Sequence, residues 1–248
     1  MDVDFAALSG SRLKSMTQAG DEVLEAFRVM GKAGTNPVAQ VLAHQGKFIE
    51  LDHYPKGDVH DAETASQYYY HAHRSEAGEH GHFHTFIRAK GIPAHVKPAA
   101  FRGTGKRPRG KNAICHLVAI SMNRAGLPIG LFTTNQWVTG ETFYGAHDTI
   151  RLLDAFAIDH VQPCLATNSW ISAMIRLFRP QIEALLLQRD RSLADWQRGH
   201  PDRAVLDDED LEITSSTPID IDRQIARIAR AQRSRRSLAI PRKLAGSG

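Results

Sequence analysis

Cysteine is nearly missing from this chain. The two present, Cys115 and Cys164, lie far apart in apolar surroundings. With no CxxC or similar short spacing, they exclude a disulfide framework, a zinc knuckle and a dithiol redox motif. Long hydrophobic runs are missing as well. No stretch of about 18 or more apolar residues offers to cross a bilayer, and the start of the chain lacks the charged segment and apolar run of a signal peptide. The expectation is a cytoplasmic protein without a membrane partner. A strong charge of one sign is also absent. The formal net charge is +4, and the basic excess is gathered into two segments rather than spread over the whole, so the balance favours a small-molecule substrate over nucleic acid. Nothing in the composition sets an oligomeric state.

What the chain does have is histidine, thirteen in all, and five of them fall between Tyr68 and Phe86. That stretch reads Tyr68-Tyr69-Tyr70-His71-Ala72-His73, then a Ser75-Glu76-Ala77-Gly78-Glu79 centre, then His80-Gly81-His82-Phe83-His84-Thr85-Phe86. Aromatic and alternating residues on either side of a turn predict a β-hairpin. Alternation puts His71 with His73 on one face of the first strand, and His80, His82 and His84 on one face of the second. Two registers fit, one with His71 opposite His84 and one with His71 opposite His82 and His73 opposite His80. Both leave the imidazoles on a common face, because only an odd slip turns a strand over.

Opposed Cβ atoms on such a face are about 5 Å apart, so three rings can converge on one cation. His71, His73, His82 and His84 are therefore candidate ligands for a divalent transition metal: zinc, iron, manganese or nickel. Glu79 is the candidate catalytic acid or base, and Glu76 a further source of oxygen. His53, Asp58, His60, His80 and His116 are possible additions. The bland alternative is a solvated, histidine-rich face without a metal.

Around the hairpin the chain predicts mostly scaffold. Apolar spacing from Phe5 to Met30 suggests two helices broken at Gly20-Asp21. Asn36-Pro37 is a helix start signal. Phe48 to Leu51 suggests a brief strand, and the segment from His53 to Asp61 a turn. Lys97 to Lys111, basic and rich in glycine, cradles an anion on one reading and is a mobile connection on the favoured one. Ile114 to Met122 and Ile129 to Val138 suggest a second hairpin, placing the polar run Asn135-Gln136-Trp137 on its return strand. A long helical stretch from Trp170 to Leu187 should break at Pro180. The acidic run Asp207 to Asp210 suggests a solvated loop, and Asp222 to Arg236 a basic surface helix docked by Ile221, Ile225 and Ile228. The expected architecture is α+β: an antiparallel sheet built from two hairpins, with about four to six strands, flanked by N-terminal and C-terminal helices. Residues 1–236 would form one domain and 237–248 a flexible tail.

The segments Gly34-Thr35-Asn36-Pro37, Asp52 to Val59, Tyr69 to Arg74 and Glu79 to Phe86, together with Asn135 to Glu141 and Ala166 to Trp170, resemble a bacterial family of unknown function. That resemblance spans most of the chain and implies no reaction. Shorter likenesses point in different directions. His80 to Phe86 has the alternate-histidine spacing of histidine-triad nucleotide hydrolases, but Gly81 stands where those motifs carry an apolar residue. His71-Ala72-His73 with a following glutamate is similar to the metal-binding strand of cupins, without the jelly-roll turns. His82-Phe83-His84 matches the paired histidines of rolling-circle nucleases, with Tyr68 to Tyr70 on a strand rather than a helix. Three functions stay open: a metal-dependent enzyme of hydrolase or oxygenase type, a metal-free histidine phosphohydrolase or nucleotidyl transferase, and a non-catalytic metal- or ligand-binding module.

Overall fold

The computed structural model describes residues 3–73, 78–103, 105 and 107–239. Six antiparallel strands form one sheet in the order of the sequence: β1 (Tyr54–His60), β2 (Ser66–His71), β3 (Glu79–Arg88), β4 (Ile114–Asn123), β5 (Pro128–Thr134) and β6 (Ile213–Pro218). The helices are α1 (Gly10–Lys32), α2 (Pro37–Leu42), α3 (Gln136–Thr139), α4 (Ala146–Leu152), α5 (Leu165–Leu177), α6 (Arg179–Gly199) and α7 (Ile221–Ala239). The chain is thus α+β; β2 pairs with β3 and β4 with β5, and β1 and β6 extend the sheet on either side beyond the two expected strand pairs.

The tyrosine triplet shows how alternation divides the sheet. Tyr68 and Tyr70 pack against Phe83 on one face. Behind Phe83 lies Trp170 of α5, which in turn meets Phe27 of α1, so two helical layers stack on that face through aromatic rings. The Tyr68 hydroxyl, buried there, donates to Asn168 Oδ1 (2.6 Å), which offsets the cost of placing it in an apolar core. Tyr69 points to the opposite face, among the histidines. Neighbouring α6 packs on β6 and β5, and α7 packs on α1.

Several local expectations are corrected. No helix break occurs at Gly20. Instead α1 runs through it, and the missing side chain admits Ile225 of α7, whose Cγ1 would stand 3.1 Å from an added Cβ. No strand forms over Phe48 to Leu51. The strand is β1, within the segment that reads as a turn, because an edge strand tolerates Pro55 and a bulge absorbs Gly57 and Asp58, both at positive φ. The second hairpin ends at Thr134, and Asn135 caps α3 by accepting from Gln136 N. Pro180 restarts the helix as expected, at the first turn of α6.

In the acidic run, Asp208 is buried rather than solvated; it accepts from Trp196 Nε1 (2.8 Å) and pairs with Arg203. The basic segment is docked rather than loose. Phe101 and Ala99 pack on a small cluster of Phe143, Leu193, Val205 and Leu206. In the C-terminal stretch, α7 extends to Ala239, and the rest of the expected tail lies outside the described residues, as does Glu76.

Candidate metal centre

The β2–β3 register sets His71 opposite His82 and Tyr69 opposite His84, which is the second of the two registers that alternation allowed. His71, His82 and His84 are buried on one face. His71 Nε2 and His82 Nε2 stand 2.7 Å apart. His73 lies two residues beyond the end of β2, so it is free of the strand geometry, and its half-buried ring turns back toward the pair. Ring centroids are 4.9 Å from His71 to His73, 5.1 Å from His73 to His82 and 4.5 Å from His71 to His82. One ligand nitrogen from each of the three lies within 4.8 Å of the others. Around a tetrahedral zinc with bonds of about 2.0 Å, ligand nitrogens sit roughly 3.3 Å apart, so the triad is close to a ligating arrangement.

Glu79 stands behind this group. Its Oε1 is 2.6 Å from His82 Nδ1. A carboxylate there accepts a hydrogen bond from Nδ1–H, which fixes the tautomer with the Nε2 lone pair on the His71 side, the arrangement that orients metal-binding imidazoles. Glu79 thereby faces an imidazole rather than open space. A cavity of about 510 Å³ opens beside it, lined by Glu79, Ser121, Gly130, Phe132, Ile213 and Ser216. Ser121 is the β4 partner of His82, and the Phe132 ring lies 5.0 Å from the His82 ring, so the cavity lies on the histidine face of the sheet, next to Glu79 and beyond Phe132.

His84 belongs to the same face but takes a different partner. Its ring is 5.1 Å from His71 and 4.8 Å from His82, and its Nδ1 meets His116 Nε2 at 2.9 Å. Burial, with the Arg189 guanidinium and His82 adding to it, lowers the His116 pKa to about 3, so this ring is neutral at physiological pH. The backbone N–H of His116 donates to Glu141 Oε2 (2.6 Å). Glu141 is fully buried, and burial pushes its pKa up to about 8 against the opposing pull of Arg189 and of that N–H. Its Oε1, like Gln136 Oε1 and Thr134 Oγ1, has no hydrogen-bond partner among the described residues. Arg189 is itself buried, donating to the Tyr144 carbonyl (2.6 Å) and lying 4.3 Å over the Phe143 ring.

The remaining histidines divide clearly. His53 stacks on Tyr69 with centroids 3.5 Å apart and contacts Asp58 Oδ1 through Nδ1 (3.1 Å), which puts it at the border of the site, 5.8 Å from the His71 ring. His60 is exposed and turned to the Gly57 carbonyl. His80 leaves the histidine face. The bulge between Glu79 and Gly81 rotates it to the helical side, where its Nδ1 is 2.5 Å from the Tyr70 hydroxyl. Neither Glu141 nor Arg189 stood out in the sequence as a site residue. Glu141 follows Gly140, which takes the left-handed conformation that ends α3, and an acid next to such a stop was the signal that could have drawn attention to it. Arg189 lies among other arginines of α6 and carries no such signal.

The family comparison spans the six-stranded sheet and ends before α7. The chain belongs to the family described as a domain of unknown function, DUF6969, which matches residues 17–219. No curated protein and no solved structure matches the chain.

Proposed function

We propose that this member of the family binds one divalent transition metal ion through His71, His73 and His82, and that the ion serves chemistry on a small molecule. The observation that carries the proposal is the directed pair: His82 Nε2 aimed at His71 Nε2 while Glu79 occupies His82 Nδ1. Three histidine ligands leave a coordination position open, which is the arrangement of catalytic rather than structural sites. When bound, such an ion would lower the pKa of water or polarise a carbonyl or phosphoryl oxygen, which supports a hydrolase; a redox-active ion such as iron, with dioxygen as oxidant, would support an oxygenase instead. The cavity beside Glu79 supplies space of small-molecule size. Glu79 acts here as a positioning residue through His82, and His84 supports the triad from its bond to His116 rather than joining it as a ligand. Zinc, iron, manganese and nickel all suit the donor set.

Elemental analysis of the purified protein, before and after chelation and reloading with zinc, tests this directly. About one metal per chain is expected in the wild type and none in His71→Ala/His82→Ala. The same preparations should melt cooperatively with and without metal, since a core of this size does not need a metal staple. Loss of the cooperative melt on chelation would instead make the ion structural. Unchanged metal content in the double variant would end the proposal.

A further inference from the structure

At the far ends of β3 and β4, a separate cleft of about 490 Å³ is lined by Lys97, Arg107 and Arg109, with Ile92, Val96 and Tyr144 among its apolar surfaces. We propose that it binds a small molecule carrying a phosphate or carboxylate group on an apolar body. This proposal does not depend on the metal centre.

Charge is the first support. No acidic residue is among the described residues that line the cleft, and none of its three cations forms an ion pair with a described residue. Among the described residues, Lys97 Nζ donates only to the Ala94 carbonyl (2.9 Å). Cations gathered around one concavity repel one another, and an anion between them offsets that repulsion with charge-assisted hydrogen bonds. Preorganisation is the second support. The chain that carries these residues is fastened at three described points: Ala99 N donates to the Phe143 carbonyl (2.9 Å), Leu206 N to the Arg102 carbonyl (3.0 Å), and Thr142 Oγ1 to the Pro108 carbonyl (2.6 Å). Gly110, at φ +57°, then turns the chain into a short 3-10 turn over Gly110–Asn112. A basic segment held in this way presents its cations at fixed places, which lowers the ordering cost of binding. The apolar surfaces give the third support. A free inorganic ion would leave the half-exposed Ile92 and the exposed Pro93 and Pro98 of the lining uncovered, whereas a ring or short hydrocarbon attached to the anion covers them. The concave shape also favours a small molecule over a nucleic-acid strand, which needs an extended basic track.

Isothermal titration of the full chain with inorganic phosphate, phenyl phosphate, benzoate and benzyl alcohol tests the proposal at fixed salt. Phenyl phosphate or benzoate should bind at least about tenfold tighter than inorganic phosphate, and benzyl alcohol should not saturate. The tighter of the two aromatic anions identifies the headgroup. Arg107→Gln/Arg109→Gln should weaken that binding by about tenfold or more, with Lys97→Gln, at an exposed position, weakening it by a smaller factor. Absence of saturable binding by both aromatic anions, or binding unchanged in both variants, would overturn the assignment. So would a single-stranded oligonucleotide that displaces phenyl phosphate and binds more tightly.

Discussion

Two histidine pairs share one face of the sheet, and they differ in what their nitrogens meet. His71 and His82 bring Nε2 against Nε2, with His73 closing the triangle and Glu79 behind. His84 and His116 bring Nδ1 against Nε2, with Glu141 held to the strand backbone beside them. Ring spacing is nearly the same in the two, at 4.5 and 4.9 Å. Both pairs are hydrogen-bonded; the difference is that a third imidazole, His73, converges on the first, while the second adjoins Glu141. Histidine count alone does not mark a candidate metal centre; three ring nitrogens near one point and a carboxylate that can fix a tautomer do.

The largest expected effect separates the pairs. His71→Ala/His82→Ala should lower zinc affinity at least about a hundredfold, because two of three ligands are lost, whereas His84→Ala should change it by less than about threefold. Competition with a chromogenic chelator measures both. Equal losses from the two variants would erase the distinction. Next comes Glu79→Gln, which keeps the shape of the side chain but weakens its hold on the His82 proton; roughly 10- to 100-fold weaker metal binding is expected, with little change in the melt. An unchanged affinity would show that Glu79 does not orient His82.

Gly81→Ala probes the bulge that sends His80 away from the histidine face. An added Cβ would meet the Tyr70 hydroxyl and come within 2.5 Å of the His71 carbonyl oxygen. Backbone must move, so a melting temperature lower by roughly 3–10 °C is expected, corresponding to about 1–3 kcal/mol. A thermal melt within a degree of wild type would mean that β2 yields there without strain.

A further comparison concerns the second pair and is read against pH. Glu141 has a folded pKa of about 8, above its ordinary value of 4.5. The folded state therefore holds this proton more tightly than the unfolded chain does. Its contribution to stability is full below the unfolded value and is lost as pH rises through the folded one. Wild type should lose stability between about pH 5 and 8, and Glu141→Gln, which cannot ionise, should flatten that decline. Parallel slopes in the two proteins would place the titration elsewhere.

The shared face of His71, His82 and His84 was legible from alternation alone, since either even register preserves it. His73 and His80 were less so. Their positions depend on where β2 stops and on the bulge at Glu79–Gly81, and neither leaves a periodic trace. β1 was hidden by Pro55, Gly57 and Asp58, whose turn propensity is accommodated at a sheet edge. β6 was hidden for another reason. Its Ile213-Thr214-Ser215-Ser216-Thr217-Pro218 sequence lacks apolar alternation, and it pairs with β5 partly through hydroxyls: Thr133 Oγ1 lies 2.8 Å from Thr214 Oγ1 and 2.6 Å from Ser215 Oγ. Such partners are spatial and cannot be read from one strand.

Because every strand lies beside its neighbour in sequence, the sheet can assemble in the order in which the chain is made. Synthesis proceeds from the N-terminus, so β2, β3 and β4 can bring both histidine pairs into register while α5, α6 and β6 are still to come. The β5–β6 pairing is the exception, since Thr134 must find Ile213 across a long intervening stretch. A nascent chain halted before Ile213 would carry its histidine pairs already aligned and would expose β5 as an open edge, a template on which another unfinished chain can add a strand.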